Sequence, residues 1–82
     1  MHQRNHQSIK SFLSLHLKDY FAMHEGDMPE SGLYELIMIE VEKTMIDETM
    51  IYTDGVQAKA AQILGISRNT LRKKLSELNI VQ

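Results

Sequence analysis

The sequence predicts an all-α protein: four helices per subunit, an intertwined homodimeric helical bundle, and a C-terminal helix-turn-helix. Three observations carry this. Apolar residues recur at intervals of three and four with no sustained alternation, the long central segment is apolar on two sides at once, and the chain ends in two short helical patterns joined by a glycine turn and bearing a basic surface. At 82 residues there is room for one small domain, which buries only about 60% of the surface its unfolded chain exposes. Hydrophobic residues at 43% and charged residues at 24% exclude a disordered or fibrous chain. The absence of cysteine excludes a disulfide framework, a thiolate zinc site and a cysteine nucleophile. It points to an intracellular setting in which self-association supplies the missing stability.

From Ser8 onward, Ile9, Phe12, Leu13, Leu17, Tyr20 and Phe21 line one side of an amphipathic helix expected over residues 8 to 24. Gly26, Asp27, Met28 and Pro29 then punctuate the chain as a loop. The second helix is expected to take Ser31 as its N-cap and to run through Leu33, Ile37, Val41, Met45 and Tyr52 towards Gly55. Leu36, Ile39, Ile46 and Met50 form a further apolar row on another side of it. Such a helix must be enclosed, and the shorter helices of one chain offer too little cover. A second copy is therefore expected against Leu33, Leu36, Ile37, Ile39, Val41, Met45, Ile46 and Met50.

Gly55 stands where a left-handed cap would end the second helix, and Gln57 to Leu64 reads as a short third helix closed in the same way by Gly65. Ser67 is suited to cap a last helix from Arg68 to about Leu78, with Leu71, Leu75 and Leu78 as its buried stripe. The single domain, residues 1–82, thus divides into dimerisation helices (8–55) and a helix-turn-helix unit (56–80).

Charge separates along the same line. Residues 56 to 82 carry Lys59, Arg68, Arg72, Lys73 and Lys74 against Glu77 alone, a net +4, while residues 1 to 55 are net −6. A basic terminal unit in an acidic chain calls for a polyanionic partner. In a helix-turn-helix the second helix enters the major groove of double-stranded DNA, its first turn at base edges and its flanks against phosphates. Arg68, Asn69 and Thr70 occupy that first turn, and the Arg68 guanidinium can bond both acceptors of guanine; Arg72, Lys73 and Lys74 follow where phosphates pass. Small Ala61 permits a close helix crossing, and Ile66 plugs the turn from beneath. Lys59, Arg72, Lys73 and Lys74 of two subunits could neutralise up to ~8 phosphates, for a log-log salt slope of about −7.

Beyond these patterns, Tyr20-Phe21-Ala22, Leu33-Tyr34-Glu35-Leu36, Glu40-Val41-Glu42, Tyr52-Thr53 and Arg68-Asn69-Thr70-Leu71-Arg72-Lys73-Lys74-Leu75 resemble the Fis family of bacterial nucleoid proteins, from about Ile9 to Ile80. The resemblance implies an all-α homodimer that binds and bends DNA, regulates transcription and organises the nucleoid in the cytoplasm, with RNA polymerase as a further partner. By position, Arg68 matches the arginine that reads guanine. Thr70, Lys73 and Lys74 match phosphate-facing residues, Gln57 another contact, and Ser67 replaces an asparagine of the best-studied member. Asp54, Val56 and Ala58 depart from an arginine, an asparagine and a threonine there. The seven residues before Ser8 are too few for the long β-hairpin arm that touches a recombinase, so stimulation of recombination is not expected. Two-fold symmetry calls for a degenerate, roughly palindromic site, with contacts ~34 Å apart on straight DNA. The family's closer spacing requires curved DNA and favours an A/T-rich centre, since bending costs on the order of 1 to 6 kcal/mol and least at deformable steps. The C-terminal unit alone also matches the Fis-type domain that ends larger enhancer-binding activators; a dimeric adaptor presenting its basic helices to a protein is the rival from another class.

Other polar residues read as ordinary surface. His2 and His6 are spaced for a metal but lack a third ligand, and His16 and His24 fit the polar edge of the first helix. Met38, Met45 and Met50 are core fillers. Glu40, Asp47 and Glu48 have neither a nucleophile nor a positioning partner, so no enzyme, cofactor or metal is expected, and the acidic second helix serves to repel DNA from the wrong side. The longest aliphatic run, Leu36 to Ile39, is far short of the ~18 residues of a membrane span, and Lys10, His16 and Lys18 interrupt any signal-peptide core.

Overall fold

The computed structural model describes residues 8–24 and 31–80, and every regular element among them is a helix: α1 (Ile9–Ala22), α2 (Leu33–Tyr52), α3 (Gln57–Leu64) and α4 (Arg68–Glu77). The expected loop at Gly26 to Pro29, and His2 and His6, lie outside the described residues. The chain divides into two compact units, one containing α1 and the other α2, α3 and α4.

α1 starts where Ser8 accepts a hydrogen bond from the Ser11 amide at 3.1 Å, which satisfies one of the amides a helix start leaves unpaired. It ends at Ala22, two residues earlier than the apolar spacing predicts. There the amide of His24 bonds the Phe21 carbonyl, the His24 Nδ1 lies 2.9 Å from the Tyr20 carbonyl oxygen, and the imidazole packs on the Tyr20 ring with centroids 4.6 Å apart. His24 is therefore part of the helix stop, not merely a polar edge. No residue of α1 is buried, and Ile9, Phe12, Leu15 and Phe21 are each at least half exposed.

α2 does not start on Ser31. Its N-cap is Gly32, at φ +103°, a conformation that residues with a Cβ rarely adopt, and the Gly32 carbonyl accepts the first helical bond from Leu36. At the other end the left-handed residue next to the cap is Asp54 (φ +53°), with Gly55 following at φ +80°. Asp54 donates its amide to Ile51 and Gly55 to Met50, the paired bonds of a Schellman motif. The same motif closes α4, where Asn79 (φ +56°) bonds Ser76 and Ile80 bonds Leu75. Asp and Asn tolerate this conformation because their short side chains bond locally.

The core of the second unit joins the C-terminal half of α2 to the two short helices. Ile46 and Met50 of α2, Ala60 and Ala61 of α3, Leu71 and Leu75 of α4 and Ile80 beyond it are buried, with Leu64, Ile66 and Leu78 packed against them. Ala60 and Leu71 are completely covered, so the small α3 residues bring the helices close enough for the leucine stripe to fill the space between. Thr53, the one buried polar residue among those described, donates its hydroxyl to the Thr49 carbonyl at 3.0 Å and so satisfies its polar atom within the helix end.

Ile46 and Met50, expected against a second copy, are instead buried to 2% and 4% by α3 and α4 of the same chain. Leu36, Ile39, Val41 and Met45 stay exposed, with Leu33 and Ile37 half-buried.

Candidate nucleic-acid interface

The basic residues gather on a helix whose placement is fixed by its apolar side. Leu71 and Leu75 are sunk in the core, so residues on the far side of α4 must face solvent, and Asn69, Arg72 and Lys73 are exposed there. Arg68 opens the helix, also exposed. Ten residues give α4 a length of about 15 Å, enough to lie along a major groove.

Ser67 has a more structural part than its place in the interface predicts. Its Oγ accepts from the Thr70 amide at 3.0 Å and donates to the Thr70 Oγ1 at 2.9 Å. Both capacities of this hydroxyl therefore serve the helix start.

The turn before α4 depends on Gly65 at φ +76°, whose amide bonds the Ala61 carbonyl at 2.8 Å, with the Ile66 amide sharing that acceptor at 3.1 Å. Ile66 is half-buried beneath the turn, as expected of a plug. On α3, Lys59 is exposed and Gln57 half-buried. Lys59 shares an open hollow with Asp54, Tyr52 and Gln62, and no ion pair joins Lys59 to Asp54 among the described residues.

Lys74 differs from its neighbours. Its Nζ lies 2.6 Å from the Glu42 Oε2 on α2, and the two side chains are 33% and 35% exposed. Hydrogen bonding to Glu42, followed by its charge, raises the Lys74 pKa above the ordinary lysine value. Sequence reasoning missed this pair, although Glu42 stands one turn before Ile46 on the stripe that packs against α4. Among the described residues there is no group of three or more His, Cys, Asp or Glu able to hold a metal, and no helix is long and apolar enough to cross a membrane.

The arrangement of α3, the Gly65 turn and α4 is that of a helix-turn-helix, and comparison with known proteins agrees. Residues 38–78 match the family described as bacterial regulatory protein, Fis family. The chain is 47% identical over 74 residues to the DNA-binding transcriptional regulator NtrC of Azospirillum brasilense, a match covering 90% of this chain and 15% of that protein. It is 51% identical over 61 residues to the DNA-binding protein Fis of Proteus mirabilis, covering 74% of this chain and 61% of that one. With the Fis of Actinobacillus succinogenes it shares 43% identity over 75 residues, covering 92% of this chain and 75% of the relative. The chain thus spans 15% of the NtrC proteins and about three fifths to three quarters of the length of the Fis proteins it matches. Its helix-turn-helix, its basic outer face and these matches together place it in the Fis family, with a Fis-type helix-turn-helix DNA-binding domain.

Proposed function

We propose that the chain acts as a homodimer that binds and bends double-stranded DNA, regulating transcription and organising the bacterial nucleoid. The observation that carries this reading is the two-sidedness of the second unit. α4 is anchored by Leu71 and Leu75 and presents Arg68, Asn69, Arg72 and Lys73 outward, while α2 keeps Leu36, Ile39, Val41 and Met45 uncovered. The basic face fits a major groove and the apolar face fits a second copy of the same helix. Two recognition helices in one dimer then call for a roughly palindromic site with a deformable, A/T-rich centre. In this reading the DNA contacts are Gln57, Lys59, Ser67, Arg68, Asn69, Thr70, Arg72 and Lys73, with Lys74 beside them, and the protein does its work without catalysis.

The test is base-specific. Arg68→Ala should cost ~1 to 3 kcal/mol on a duplex with guanine near each end and much less on one lacking it, as read by band shift or fluorescence anisotropy. An equal loss on both duplexes would remove Arg68 from base recognition.

A second reading, the DNA-binding domain of a larger enhancer-binding activator, is favoured by the match to NtrC, which takes in 90% of this chain. The size of the native protein on an immunoblot of the source cell distinguishes the two. A species several times larger than 9.5 kDa supports the activator.

A further inference from the structure

We infer that Glu42 is a built-in attenuator of sequence-independent DNA affinity: held against Lys74, it cancels one cation of the recognition helix in each subunit. The inference rests on the proposed DNA-binding role of α4. Lys74 flanks the buried stripe of α4 between Leu71 and Leu75, whereas Arg72 and Lys73 lie on exposed faces. Its Nζ reaches back to α2 and meets the Glu42 Oε2 at 2.6 Å, one turn before the buried Ile46, so the ion pair continues the apolar seam between the two helices at its rim.

The pair does not need to remain closed on DNA for the cancellation to hold. If it stays closed, Lys74 offers phosphate no net charge. If Lys74 swings towards a phosphate, it leaves an uncompensated carboxylate beside the same backbone, and the attraction gained is offset by the repulsion exposed. Either way the phosphates count Lys59, Arg72 and Lys73 from each subunit, up to ~6 in the dimer, and the log-log salt slope should be about −5 instead of the −7 that all four cations would give. Phosphate contacts are blind to sequence. Glu42 therefore lowers affinity for every duplex alike and keeps the protein from saturating on arbitrary DNA.

The experiment compares the wild-type chain with Glu42→Gln, Glu42→Asp and the double variant Glu42→Gln/Lys74→Gln on a random-sequence duplex between 50 and 200 mM salt. Melting by circular dichroism shows which variants are folded. Glu42→Gln keeps the shape and removes the charge; its slope should steepen to about −7, and its advantage over wild type should be largest at 50 mM salt and shrink about tenfold by 200 mM. Glu42→Asp, with the charge kept, should hold the wild-type slope, which a purely structural role for the longer side chain would not produce. The double variant should return to about −5, identifying Lys74 as the source of the added contact. A Glu42→Gln slope equal to that of wild type, with the protein folded, overturns the inference, as does a Glu42→Asp slope of about −7. Failure of the underlying DNA-binding reading looks different: wild type itself would then retard no duplex at any salt.

Discussion

Two sides of α2 meet different surroundings. Towards its C-terminus, Ile46 and Met50 are enclosed by Ala60, Ala61, Leu71 and Leu75 of the same chain, and the helix-turn-helix thereby completes its own small core. Along the rest of the helix, Leu36, Met38, Ile39, Val41, Met45, Ile51 and Tyr52 all keep 44% or more of their surface exposed. α1 likewise contains no buried residue. A patch of that kind is unusual on a stable monomer and supports the proposed dimer. One helix thus has two sides, an internal scaffold for α3 and α4 through Ile46 and Met50, and an exposed apolar face that the proposed dimer would cover. The comparison teaches that apolar excess in a sequence does not say which part is satisfied within the chain. Only the packing of the short helices divides it.

The sharpest way to break that division is to damage each side separately. Leu71→Ala removes a completely buried side chain from a core of few residues. It should cost ~2 to 5 kcal/mol, with melting of the unit as the readout. A melting temperature within a degree of wild type would mean that the helix-turn-helix core is not what holds α4 in place. Met45→Asp acts on the other side. Met45 is 50% exposed in the single chain, so an aspartate there should leave the helix-turn-helix folded. In a two-fold dimer it buries a carboxylate from each subunit, weakening association by about 2 kcal/mol or more, roughly thirtyfold in the dimer dissociation constant. Sedimentation at micromolar concentration checks it. A variant that still sediments as a dimer would place the interface elsewhere.

The same contrast explains what could be read in advance. All four helices were legible because their apolar spacing is regular, and the Ser67 cap because its hydroxyl has an unpaired amide in reach. Asn69, Arg72 and Lys73 were legible as an outward set because the Leu71 and Leu75 spacing fixes the opposite side, and Arg68 because it opens the helix. Three features were not. Ile46 and Met45 look alike in sequence and are separated only by where α3 and α4 fold back, which leaves one 2% and the other 50% exposed. Lys74 reads as one more cation until Glu42, thirty-two positions earlier, is brought beside it. The helix ends at Asp54 and Asn79 were hidden because glycine is the usual left-handed residue, and Gly55 drew the assignment one position too far.

Asp54 supplies the smallest and most discriminating test of how the two regions join. From the sequence alone a carboxylate here has no structural merit, since the helix dipole disfavours it at a C-terminus and resemblance to Fis places an arginine at this position. The backbone supplies a reason: Asp54 sits at φ +53°, where aspartate and asparagine are tolerated and arginine pays on the order of 1 kcal/mol in strain. Charge and conformation therefore pull in opposite directions, and one substitution cannot separate them. Asp54→Arg should tighten DNA binding, steepening the salt slope by about 2 for the dimer, while lowering stability by up to ~1 kcal/mol. Asp54→Asn keeps the conformational tolerance and removes only the charge. It should not lower the melting temperature, and it should raise affinity by under ~1 kcal/mol on specific and unrelated duplexes alike, most at low salt. Binding isotherms at two salt concentrations, paired with melting curves, decide the case. If Asp54→Asn leaves affinity unchanged on both duplexes, position 54 faces away from the phosphate backbone, and the turn between α2 and α3 serves only to cap the helix.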